Sequence, residues 1–193
     1  MAKVGMKYPV CAPIVKETHG QPVEYGAGVV MGKAISADIT YNRTASSLYA
    51  DDAKVEADNS ITGGSVSFTV DQVTLEGRKV AFGLDVTDTE GGKLYHITGK
   101  STPYIGQGYI EVLNTDGKYQ YRAIWLHKVQ YGPQGRTSAT KGEQITWQTE
   151  TVTGEMMGAY INDSGEAHFE EVFEADTEAA AMAWLKTKAH IAS

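Results

Sequence analysis

The sequence predicts a mainly β domain, and three observations carry that expectation. Glycine is abundant at 21 residues while proline is scarce at 5, and the middle of the chain is rich in Val, Ile, Thr, Tyr and Trp broken by turn residues. Apolar and polar residues alternate with a period of two in several stretches, as strands with two different faces require. Hairpin turns are signalled by Thr115-Asp116-Gly117-Lys118 and by Asn162-Asp163-Ser164-Gly165, each flanked by strand-like runs.

Along the chain, GVVMGKAISADITYNR (28–43) places Val29, Met31, Ile35, Ala37, Ile39 and Tyr41 on one side of an extended segment. GSVSFTV (64–70) turns Val66, Phe68 and Val70 inward. Asp71 can cap a helix over QVTLEGRKVAFG, with Val73, Val80 and Leu84 on one apolar stripe. In KYQYRAIWLHKVQY (118–131), Tyr119, Tyr121, Ala123, Trp125, Val129 and Tyr131 fall on one face, with His127 the only break. The other face carries Ile124 and Leu126, so this strand is expected to be covered on both sides at mid-length by a second layer or a neighbouring subunit. EQITWQTETVTG (143–154) sets Ile145, Trp147, Thr149, Thr151 and Thr153 against a polar face of Gln144, Thr146, Gln148 and Glu150. A C-terminal helix is expected over 177–189, capped by Asp176, with Glu178 in its first turn, Lys186 and Lys188 near its negative end, and a sticky face of Met182 and Leu185.

With 193 residues the chain is expected to form a single domain, 1–193, with one sizeable core. Its 24 acidic and 17 basic residues leave a net charge of −7, which argues against a surface built to neutralise phosphates. Cys11 is the only cysteine, so neither an internal disulfide nor a cysteine-based zinc site is available, and a cytoplasmic origin is expected. No apolar run approaches the ~20 residues that span a bilayer, and no signal-peptide pattern opens the sequence.

The acidic stretch LYADDAKVEADNSITGG (48–64) invites a test as a calcium loop. Asp58, Ser60, Thr62 and Gly63 fit the first ligands and the glycine, but Thr69 stands where a bidentate Glu is needed, and the flanks are strand-like. The five histidines are far apart, no GxSxG elbow is present, and Gly106-Gln107-Gly108 is too short for a dinucleotide fingerprint. A non-enzymatic role without cofactor or metal is the expectation. The aromatic and basic residues that interleave in 118–131 fit strand-core periodicity better than a nucleic-acid stacking platform, given the acidic total.

In its order of elements the chain resembles the major tail proteins, or tail tube proteins, of long-tailed siphovirus bacteriophages. The residues that carry the resemblance are GMKYPV near the start, LYADDAKVEAD, GGSVSFTVDQV leading into a helix, GQGYIEV, YRAIWLHKVQY and GRTSATKGEQITW, spanning about Lys3 to Phe173. The resemblance implies a β-barrel or sandwich protomer with a flanking helix, an N-terminal arm over about 1–23 and a projecting loop over about 42–62. Six copies would close into a ring, and rings would stack into the virion tail tube that conducts the genome into the host. Implied partners are the chain itself, the tail terminator, tape measure and distal tail proteins, and DNA in transient, non-specific passage, with no membrane. Assembly would take place in the host cytoplasm. Tyr41, Leu48, Tyr49, Asp51, Asp52 and Val55 are then the expected subunit contacts, and Gln144, Thr146, Gln148 and Glu150 the expected lumen lining. Two other readings share some of these features: a tube protein of a contractile or type VI-like secretion system, and a small β-barrel ligand-binding protein.

Overall fold

The computed structural model of the chain describes residues 2–50, 53–87, 93–95, 99–135, 138, 140, 147–162 and 165–192. In chain order its first strands are β1 (Ala2–Lys16), β2 (Glu24–Tyr25), β3 (Val29–Val30), β4 (Ala34–Arg43), β5 (Ser46–Ala50), β6 (Ala53–Asp58) and β7 (Ile61–Val70). Helix α1 (Leu75–Phe82) and the short β8 (Asp85–Thr87) and β9 (Lys93–Tyr95) follow. The remainder is β10 (Tyr104–Thr115), β11 (Lys118–Tyr131), β12 (Glu150–Met157), β13 (Ala159–Tyr160), β14 (Ala167–His168), β15 (Glu170–Ala175) and helix α2 (Glu178–Lys188). The fold is mainly β, as expected.

Nine strands form one antiparallel sheet in the order β2-β1-β10-β11-β12-β7-β4, with β3 added to β1 and β15 to β11. The pairs β5–β6, β8–β9 and β13–β14 are separate two-stranded sheets. The β10–β11 hairpin turns at Asp116 (φ 50°) and Gly117 (φ 83°), the paired left-handed conformations that a tight two-residue turn demands and that Asp-Gly supplies. The β13–β14 pairing brackets the second turn signal.

The sheet curls around one cluster in which Cys11, Phe68, Ile105, Tyr109, Leu126, Tyr131 and Val152 are buried, and β4 returns to lie near β1. On the opposite face of β1, β10 and β11, a second cluster of Val10, Ala12, Ile110, Ala123 and Trp125 is covered by Ala181 and Leu185 of α2 and by Ala189, the residue that caps its C-terminus. The second layer expected over 118–131 is therefore this chain's own C-terminal helix.

Several expectations are corrected. Residues 2–16, expected within an N-terminal arm, form the internal strand β1, because Val10, Cys11 and Ala12 are all fully buried. The expected single segment 28–43 is two strands that pair with different partners, β3 with β1 and β4 with β7. A bulge between Ala34 and Ser36 turns Ile35 outward to 50 % exposure, while Ala37 and Ile39 keep their inward face.

In β11 the expected single face is split. Ala123 and Trp125 point to α2, whereas Val129 and Tyr131 join the interior cluster with Ile124 and Leu126. The register moves two residues along β10, from Ile105 to Gln107, against three along β11, from Val129 to Leu126. The extra residue at His127-Lys128 inverts the alternation. At the same place β11 changes partner, from β15 (Tyr121 to Leu126) to β12 (Lys128 to Tyr131).

Strand β12 likewise runs opposite to expectation. Val152 and Met156 are buried and Thr151 and Thr153 exposed, and residues 147–149 precede the strand, with Trp147 at 85 % exposure. Helix α1 is capped by Thr74, whose hydroxyl accepts from the Gly77 amide at 3.0 Å. Asp71 instead accepts from the amides of Lys33 and Gln72, and these bonds hold its carboxyl below the usual range. Helix α2 is capped by Thr177 rather than Asp176. No helix among the described residues is long and apolar enough to cross a membrane.

Candidate assembly surface

The stretch expected as a projecting loop over 42–62 is a β-hairpin inserted between β4 and β7. Strands β4 and β7 pair along their length, from Ala34↔Val70 to Arg43↔Ile61. The Thr44 amide then donates to the Ser60 carbonyl at 2.8 Å, and beyond this bond the chain continues as β5–β6, joined from Ser46↔Asp58 to Ala50↔Ala53. The register shift between Leu48 and Tyr49 leaves Val55 as the extra residue of a bulge. β5 and β6 pair with each other and, among the described strands, with no strand of the main sheet. The backbone of Leu48, Tyr49 and Val55 lies in this hairpin, while Asp51 and Asp52 lie outside the described residues.

The stretch tested above as a calcium loop folds differently. The Asp58 carboxylate accepts from the Ser60 amide at 3.1 Å, and Ile61 to Val70 run as strand β7 with Val66, Phe68 and Val70 buried.

Tyr41, expected as a subunit contact, stands on the inward face of β4 opposite Gly64 and packs, partly buried, against this protomer's own interior cluster. Burial, with a hydrogen bond to the Glu170 carboxylate, pushes its hydroxyl up to about 12. Glu150 is also committed inside the protomer. Its carboxylate receives Arg78 Nη2 at 2.6 and 2.7 Å and the Val73 amide at 2.9 Å, tying β12 to the segment that opens α1. Gln148 is exposed ahead of β12, and Gln144 and Thr146 lie outside the described residues. Of the four residues expected to line a lumen, the two described ones are placed differently: Gln148 precedes β12, and Glu150 opens it and is tied to Arg78.

A surface that sequence reasoning missed is the outer part of β15. This strand pairs with β11 along one edge and, among the described strands, with nothing along the other. Val172 is 45 % and Phe173 36 % exposed, and the Phe173 ring stacks on Trp184 of α2 at 5.5 Å between centroids. The signal in the sequence was short, because EEVFEA (170–175) sets two apolar residues side by side among three glutamates rather than in alternation.

The glycines dismissed as a dinucleotide fingerprint have a packing role. A Cβ on Gly106 would stand 2.3 Å from Trp125 Cζ2, and one on Gly108 2.7 Å from Trp125 Cε3 and from Leu185 Cδ2. The pair forms the groove in which the Trp125 indole lies beneath α2.

No protein-family model matches the chain, and no curated protein does.

Proposed function

We infer that the chain is a structural, non-enzymatic protein that assembles with copies of itself into stacked rings forming a tail tube of the long-tailed phage type. The observation that carries this reading is the β5–β6 hairpin, which extends beyond the end of the β4–β7 ladder and, among the described residues, pairs with no strand of the sheet. A two-stranded hairpin is marginal in water by itself, and a second surface that covers it removes that cost. The edge of β15 that is unpaired among the described residues, with Val172 and Phe173 exposed, offers a second place for a neighbouring copy to add a strand. Six copies at −7 would carry −42 per ring, so a polyanion passing through meets no basic wall that would retain it. The interior of the curled sheet is filled by side chains such as Phe68, Tyr109 and Tyr131, which weighs against the ligand-binding reading.

Negative-stain electron microscopy of the concentrated protein is expected to show rings and tubes. A variant in which Ser46–Asp58 is replaced by a short turn keeps the β4–β7 ladder, so it should retain the parent circular dichroism spectrum and fail to form tubes. A parent that stays monomeric at high concentration, or a hairpin-less variant that assembles normally, refutes the reading.

A further inference from the structure

His127 is 2 % exposed, at the bulge where β11 changes partner. The ionisable groups that face it come from four elements around it: Tyr25 on β2, Glu171 on β15, Lys188 on α2 and His168 on β14. Next to it in sequence, Lys128 is occupied by Glu17 at 2.6 Å.

The hydrogen bonds assign the ring's tautomer. The Tyr25 hydroxyl donates its one hydrogen to the His127 carbonyl at 2.8 Å. The 3.3 Å contact between the same oxygen and Nδ1 is therefore donated by Nδ1–H. The neutral ring then carries a bare lone pair at Nε2, which is buried and, among the described residues, has no hydrogen-bond partner. Glu171 Oε2 stands 3.9 Å from Nε2, and the same oxygen receives Lys188 Nζ at 2.7 Å. Two acceptors thus face one another, and the Lys188 ammonium holds the carboxylate between the ring and the end of α2.

We propose that His127, Glu171 and Lys188 form an acid-sensitive clasp for the C-terminal helix: a proton on His127 Nε2 turns that atom into a donor, draws Glu171 away from Lys188 and loosens the last turn of α2. The first turn is tied separately, by Lys7 to Glu178 at 2.7 Å, so the release is confined to the C-terminal end. The clasp is a property of the protomer and does not depend on assembly.

The sign follows from burial, which moves the ring from 6.5 to about 4 while it is clasped. A released ring takes up its proton near 6.5, so the clasp is intact above that pH and weakens as the pH falls towards 4. Hydrogen exchange of the amides at 185–191, corrected for intrinsic rates and compared with those of β7, reads the effect. Protection of the helix end is expected to drop on the order of tenfold between about pH 6.5 and 4.5, that of β7 to hold, and His127→Gln to abolish the drop. Nitrogen NMR of the ring at neutral pH should place the proton on Nδ1. In Lys188→Met the imidazolium gains Glu171 without a competitor, so the pH slope should shrink. The helix end and β7 losing protection together, a drop that persists in His127→Gln, an unchanged slope in Lys188→Met, or a neutral proton on Nε2 would each overturn the clasp.

Discussion

Gly106→Ala tests whether the Trp125 groove is as tight as the geometry implies. The added Cβ would sit 2.3 Å from Trp125 Cζ2, 2.6 Å from Tyr25 Cε1 and 3.0 Å from Trp125 Cε2, so both rings must move by about 1 Å to restore ordinary carbon contacts of ~3.5 Å. Neither ring is free to do so. Trp125 is fully buried beneath α2, and Tyr25 packs edge-on against it at 5.2 Å between centroids while its hydroxyl donates to the His127 carbonyl. Overpacking a fixed site of this kind costs about 3 kcal/mol, at the upper end of the usual range. The entropy an alanine removes from the unfolded chain returns only ~0.5 kcal/mol. Gly5→Ala is the control, because its nearest neighbour, Val112, is 3.9 Å away. Urea denaturation followed by far-ultraviolet circular dichroism should show Gly106→Ala destabilised by about 2–3 kcal/mol and Gly5→Ala within ~0.5 kcal/mol of the parent. Combining Gly106→Ala with Trp125→Phe should cost less than the two single losses added, because the smaller ring vacates the contested space. A Gly106→Ala protein as stable as the parent, or strict additivity in the double variant, refutes the account.

Arg78→Met should destabilise by about 1–2 kcal/mol in the same assay, because Arg78 and Glu150 are only 17 % and 21 % exposed and the carboxylate keeps the Val73 amide alone. Lys16→Met, which breaks an exposed pair with Glu24, should leave the urea midpoint at the parent value. At alkaline pH, burial raises the Tyr25 and Tyr131 hydroxyls above 10, so their contribution is present below pH 10 and is lost as the pH rises above it. Phenolate absorbance should therefore show these two tyrosines ionising together with the loss of native circular dichroism; their ionisation in the folded protein would contradict the packing.

Much of the fold was legible because periodicity and turn chemistry are local. Val66, Phe68 and Val70 needed only the pleat of β7 to be placed inward, Asp116-Gly117 needed only the tight turn between β10 and β11, and Glu178 with Lys186 and Lys188 needed only the dipole of α2. The two-sided burial of Lys118–Tyr131 could also be read, but what covered it could not. That Ala181, Leu185 and Ala189 lie on Trp125 is a contact between distant parts of the chain. Bulges defeated the alternation in two ways: at Ile35 one residue turned outward while Ala37 and Ile39 kept their face, and at His127 one inserted residue inverted the side chains beyond it; the pairing partner, not the strand itself, determines where a bulge falls. Tyr41 and Glu150 were misplaced for the same reason: an aromatic or a carboxylate in an extended segment is inward or outward according to which strand or helix arrives opposite it. In this chain those arrivals, β7 and β15 at Tyr41 and α1 at Glu150, are set by the curl of the sheet, and that is a tertiary property.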